Sequence, residues 1–123
     1  MIRMEFATYV ADGGITIRIP APARGIVTKF KATCNQNIAA AKTIDVQRAG
    51  TSVNLITVAA AGYTAGTSAP LEGTRDTTNK DLIFDPNSST DTYKEIMIVV
   101  ADIDASGQFG FYIEFDDFAI VAQ

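Results

Sequence analysis

The chain has 123 residues, 47% of them hydrophobic, which is enough for one domain with one hydrophobic core. Ten Lys and Arg against fourteen Asp and Glu give a net charge of -4 with no basic block, so an electrostatic grip on nucleic acid or an anionic membrane is not expected. There is no His and only one Cys, which excludes an intrachain disulfide, zinc held by His and Cys, and a His general base.

Met4 to Val10 is predicted as a strand, and Asp12-Gly13-Gly14 as a tight hairpin turn into Ile15-Thr16-Ile17-Arg18-Ile19, whose isoleucines share one face. Pro20-Ala21-Pro22 ends that strand, because proline has no N–H to give a ladder. Gly25 precedes a long strand from Ile26 to about Thr33 that alternates loosely. Cys34 falls on the face of Phe30 and Ala32 and reads as a small buried hydrophobe, in a reducing compartment or in a fold that needs no crosslink. Asn35 to Lys42 reads either as one helical turn or as a bulged loop over a sheet. Thr43 to Arg48 alternates, and Ala49-Gly50-Thr51 turns it toward Val53 to Val58. The alanines that follow allow a helix there, but the β-branched residues favour a strand.

Tyr63 to Lys80 is rich in Gly, Thr, Ser and Pro and is predicted as a long loop broken by a short strand, the kind of segment that carries contacts with partners. Asp81 to Phe84 is short and apolar, and Asp85-Pro86-Asn87-Ser88-Ser89 closes it as a turn. The strongest predicted pair is Glu95 to Ala101 and Gln108 to Phe115, joined through a turn at Asp102 to Gly107. In the second of these, Phe109, Phe111, Ile113 and Phe115 fall on one face, and Gly110, Tyr112 and Glu114 on the other. Asp116-Asp117 is expected to break the ladder, before an edge strand at Phe118 to Val121. The whole reads as one all-β domain over residues 1–123, an antiparallel, jelly-roll-like β-sandwich of about eight strands. No signal peptide is expected, since Met1-Ile2-Arg3-Met4-Glu5 carries an acid and no apolar stretch follows. No run reaches the roughly 20 residues of a membrane helix.

Candidate chemistry is sparse, and the chain reads as a non-enzyme without a cofactor. No Ser sits in a Gly-x-Ser-x-Gly elbow, and the glycines of Gly62 to Ser68 lack the lysine of a phosphate loop. Asp102-Ile103-Asp104-Ala105-Ser106-Gly107 matches the first half of an EF-hand loop, but its twelfth position is Ile113. It therefore reads as an acidic hairpin turn, with a calcium site at Asp102, Asp104 and Ser106 as the alternative. Glu114 and Asp116 read as solvated residues rather than as glycosidase carboxylates, because Asp117 beside them points the other way. Tyr112, turned away from the Phe row, is a candidate contact residue for another subunit or a shell. Phe118 and Ile120 are candidates too, since hydrophobics after an acidic break are awkward on a monomer surface. Their other reading is a last strand folded onto its own core.

Pro22-Ala23-Arg24-Gly25-Ile26-Val27-Thr28-Lys29-Phe30, the small-residue loop Asn35 to Lys42 leading into Thr43-Ile44-Asp45-Val46, and the turn Arg48-Ala49-Gly50-Thr51-Ser52-Val53 together resemble the head decoration or head-fibre proteins of tailed bacteriophages. The alanine and glycine stretch Ala59 to Gly66, Leu71, and the closing strand ending at Phe115 continue the likeness. The resemblance implies a structural virion protein on the capsid surface. It would be a homo-oligomer, trimer or dimer, bound to the major capsid protein lattice and steadying it, with no catalytic residue. The competing expectation is a fibre or tail accessory module that binds carbohydrate or a host surface. A groove lined by Tyr63 or Tyr93 would favour it, while the absence of Trp argues against it.

Overall fold

The computed structural model describes residues 1–103 and 106–118. Its strands are β1 (Ile2–Val10), β2 (Ile15–Pro20), β3 (Gly25–Cys34), β4 (Thr43–Arg48), β5 (Thr51–Thr57), β6 (Leu71–Glu72), β7 (Thr74–Arg75), β8 (Glu95–Val100) and β9 (Gly107–Asp117). They form two antiparallel sheets, a four-stranded one in the order β1-β9-β3-β6 and a five-stranded one in the order β2-β8-β4-β5-β7. The all-β sandwich expected from the alternation is present, with nine strands among the described residues. A 3-10 turn at Asp91–Lys94, not anticipated, leads into β8.

The core lies between the sheets. Phe109, Phe111, Ile113 and Phe115 of β9 are all buried, as the alternation predicts. They meet Val27, Phe30 and Ala32 of β3 from their own sheet, and Ile44, Val46, Ile96 and Ile98 from the other. Phe111 lies at the centre of an aromatic cluster, 5.4 Å from Phe6, 6.0 Å from Phe30 and 5.7 Å from Phe109.

Two bulges explain where alternation weakens. The β3–β9 register shifts between Val27 and Lys29, so Thr28 is an extra residue, and Val27 and Phe30, three apart, both face inward. Thr28 Oγ1 donates to the Glu114 carbonyl at 3.2 Å, meeting an oxygen beside the interrupted ladder. In β5 the shift opposite Val46 and Gln47 leaves Val53 and Asn54 both buried. The β4–β5 connection is the expected tight turn, with Ala49 (φ 52°) and Gly50 (φ 88°) as its two central residues.

Two expected hairpins are corrected. The turn at Asp12–Gly14 has its positive φ values, but it carries the chain from β1 in one sheet to β2 in the other. The same holds for β8 and β9, which pair in different sheets, so the loop from Asp102 to Gly107 crosses between layers rather than closing a hairpin. These two crossings meet at one end of the sandwich: the Gly13 N–H donates to Asp102 Oδ1 at 3.3 Å, and the Asp12 N–H to Ser106 Oγ at 3.1 Å. Gly14 (φ 82°) lies against the Val100 carbonyl, leaving no room for a Cβ.

Asp116-Asp117 does not break the ladder, because β9 runs through both and pairs Asp116 with Ile26 and Asp117 with Gly25. Asp117 ends the inward row at 7% exposure, its carboxylate 3.1 Å from the Met1 amino nitrogen. Asn35 to Lys42 is the loop reading rather than the helical one; it packs Ile38 inward and bridges it to Tyr63. The expected short strand within the long loop is the pair β6 and β7, which crosses from one sheet to the other through Gly73. There a Cβ would collide with the buried Asn54 amide oxygen. Asp81 to Phe84 forms no strand, only a single bridge from Phe84 to Gly25. The segment predicted as an edge strand, Phe118 to Val121, lies beyond β9 and mostly outside the described residues.

Candidate interaction surface

The register of the four-stranded sheet fixes which side chains leave the core. Arg3, Glu5, Ala7 and Tyr9 on β1 stand opposite Glu114, Tyr112, Gly110 and Gln108 on β9. Lys29, Lys31 and Thr33 on β3 stand opposite Glu114, Tyr112 and Gly110 from the other side. Small residues therefore meet in the middle of this outer face, in the row Ala7, Gly110, Thr33. They leave an open groove of about 470 Å³ bounded by Glu5, Lys31, Pro70 and Tyr112.

Tyr112, predicted to face away from the Phe row, does so. Its hydroxyl donates to Glu114 Oε2 at 2.6 Å, two residues along the same face. That bond to a carboxylate holds the phenolic proton and pushes the Tyr112 pKa up, with Arg3 acting weakly in the opposite sense. The ring is thus oriented and the hydroxyl already engaged. Lys29 and Glu72 pair at 3.9 Å across the edge with β6. Basic and acidic groups alternate over the face, so no patch of one sign forms there.

Both sheets also leave a free edge on one side. β1 is paired with β9 at every position from Ile2 to Val10 and, among the described residues, has no strand on its other side. Its inward residues Ile2, Met4 and Phe6 are only half-buried. Below it β2 is the edge of the second sheet, where Ile15, opposite buried Val100, is 40% exposed. The opposite side of the sandwich is closed by the segment that crosses from β6 to β7.

The remaining sequence candidates fall as follows. Asp102 and Ser106 use side-chain oxygens to accept the backbone N–H groups of Gly13 and Asp12, so they brace the neighbouring crossing. Asp104 lies outside the described residues, among which no group of three or more acidic, Cys or His side chains is disposed to hold a metal. Asp116 is exposed and Asp117 points inward, as strand alternation requires. Phe118 is tied to its own chain: its N–H donates to the Arg24 carbonyl at 2.7 Å, and its ring centre lies 5.6 Å from the Arg24 guanidinium carbon. Ile120 lies outside the described residues.

Tyr63 borders an open groove with Asn35, Gly66, Ser68 and Gln108, but it presents little of its ring there for a sugar to stack on. Tyr63 is buried at 4% exposure, and its hydroxyl both accepts the Cys34 N–H at 3.1 Å and donates to the Cys34 carbonyl at 3.2 Å. Tyr93 is covered by the Arg48 guanidinium, 3.8 Å from the ring centre. The Tyr63 link was not read from the sequence. Its cause is the shortness of β6, which pairs only with Lys31 and Ala32 and leaves the next β-ladder groups of β3, at Cys34, without a strand. Cys34 itself is buried, as predicted, and burial pushes its thiol pKa up.

Comparison with protein-family models, with curated protein sequences and with solved structures finds no match to this chain.

Proposed function

We propose that this chain is a structural, non-catalytic virion protein that decorates and stabilises the surface of a bacteriophage capsid. The observation that carries the reading is the division of labour in the sandwich. Three of the side chains that the sequence singles out are spent on holding the fold: Tyr63 on Cys34, Asp102 and Ser106 on the first crossing. What is offered outward is a sheet face of mixed charge and a nine-residue strand edge left unpaired among the described residues. A rigid body with one surface for its own kind and another for a shell suits repeated binding to a lattice, where modest contacts accumulate over several sites. The sequence likeness to head decoration proteins points the same way.

The test is co-sedimentation of the purified protein with capsids that lack it. Saturable binding at a fixed ratio to the shell subunit, with a raised disruption temperature of the loaded capsid, is the expected outcome. Protein that stays in the supernatant at all concentrations refutes the reading.

A second reading, a module binding carbohydrate or a host surface, draws on the groove over Gly110 beside the ring of Tyr112. Chemical-shift changes of the Ala7, Gly110 and Tyr112 amides on adding oligosaccharides, without any capsid binding, favour it instead.

A further inference from the structure

We propose that the free edge of β1 is the contact through which two copies of this chain pair, antiparallel and about a two-fold axis at Met4. This deepens the decoration reading by naming how its subunits meet, and it is tested on free protein, so its failure and a failure to bind capsids are separate results. Edge strands that stay single are guarded by proline, bulges, shortness, charged side chains or a covering segment. The two charges of β1, Arg3 and Glu5, are of opposite sign and so can pair between copies. β6 and β7 are two residues each, and β2 ends at Pro20. β1 is nine residues long, pairs with β9 without a register shift, and contains no proline. Its inward residues Ile2, Met4 and Phe6 are apolar and half-exposed, and Ile15, Ile17 and Ile19 continue an apolar seam on the second sheet below it.

Charge selects the register. Two antiparallel copies of one strand keep their inner faces together only if the axis passes through a residue, because neighbouring side chains point to opposite faces. With the axis at Met4, Arg3 of each copy stands opposite Glu5 of the other, twice, on the outer face. Ile2 stands opposite Phe6 of the second copy, twice, on the inner face. Moving the axis to Glu5 sets the two Glu5 carboxylates against each other, and moving it to Arg3 sets arginine against arginine. An axis at Phe6 leaves Arg3 opposite Tyr9 and Glu5 opposite Ala7. Only the Met4 axis pairs both charges. Within its own chain Glu5 has no ion pair among the described residues, so its charge is available to the second copy.

The experiment is sedimentation velocity on wild type, Arg3→Glu, Glu5→Arg and the double variant, with circular dichroism and amide exchange confirming that each is folded. Wild type is expected to dimerise. Either single reversal places like charges opposite each other at both symmetric positions and weakens the dimer by roughly tenfold or more. Mixing the two single variants restores association as a heterodimer, and the double variant dimerises alone. A wild-type monomer at all concentrations, a closed trimer, or a dimer indifferent to charge reversal overturns the proposal. Should one single variant fail to fold, the double variant and Met4→Pro decide: dimer in the first and loss of dimer in a folded second support it, and the reverse refutes it.

Discussion

Removing one oxygen atom, in Tyr63→Phe, tests how the long β3 strand is held beyond the reach of its neighbour. β6 stops opposite Ala32, and the buried Cys34 N–H and C=O that face the same way find the Tyr63 hydroxyl at 3.1 and 3.2 Å. The phenylalanine ring fills the same space, so no cavity forms and packing is unchanged. What changes is that one buried donor and one buried acceptor lose their partner at once. Each unsatisfied buried group costs about 1–3 kcal/mol, and part is recovered where water reaches the groove beside Gly66 and Ser68. A loss of about 2–3 kcal/mol follows, with a fall in Tm of roughly 6–12 °C for a domain of this size. Urea denaturation with an unchanged m-value measures it, beside Tyr93→Phe as a control, whose ring keeps its stacking on Arg48. Hydrogen exchange adds a local reading, since the Cys34 amide should lose protection before its neighbours in β3. A Tyr63→Phe protein within about 0.5 kcal/mol of wild type, with Cys34 still protected, would refute the claim that this hydroxyl stands in for a missing strand.

Three further outcomes are expected. Phe109→Ala, at a fully buried position stacked 5.7 Å from Phe111, should cost about 3–5 kcal/mol and unfold much of the protein at physiological temperature, measured by calorimetry. Gly14→Ala meets both a positive φ and the Val100 carbonyl, so it should lower stability by more than about 2 kcal/mol; the refuting result is a Tm unchanged within a degree. The Cys34 thiol, shielded by burial, should resist a thiol reagent in the native protein and react on unfolding. Because its pKa is raised on folding from 9.0, the unfolded chain ionises first, so stability should fall as pH rises above about 9. Cys34→Ala should reduce that slope, which denaturant titrations at pH 8 and 10 would detect.

Much of the strand pattern is legible in the residues themselves. The β9 row and the β2 isoleucines announce their faces by alternation, because side chains on a strand have a period of two whatever surrounds them. The Ala49-Gly50 turn is equally local. Asp12-Gly13-Gly14 and the loop from Asp102 to Gly107 are different. Their composition shows that the chain reverses, but the same positive-φ residues serve a hairpin and a crossing to the other sheet. Alternation also leaves each strand's neighbours open. Hence Tyr112 is placed correctly on the outer face, while the row Ala7, Gly110, Thr33 that makes the groove there is assembled from three distant segments.

Local sequence therefore carries the inside and outside of the regularly alternating strands, β2 and β9 up to Phe115 above all, together with turns at Gly and Pro. The tertiary structure alone decided which strands lie side by side, that Thr28 and Val53 are bulged, that Asp117 continues a ladder, and that Tyr63 completes β3. It also decided that, among the described residues, β1 keeps one edge unpaired. The reason is that facing is set by the geometry of a single extended chain, whereas pairing is set by hydrogen bonds between segments as far apart as Ile2 and Phe115, whose partners leave no mark on either segment alone.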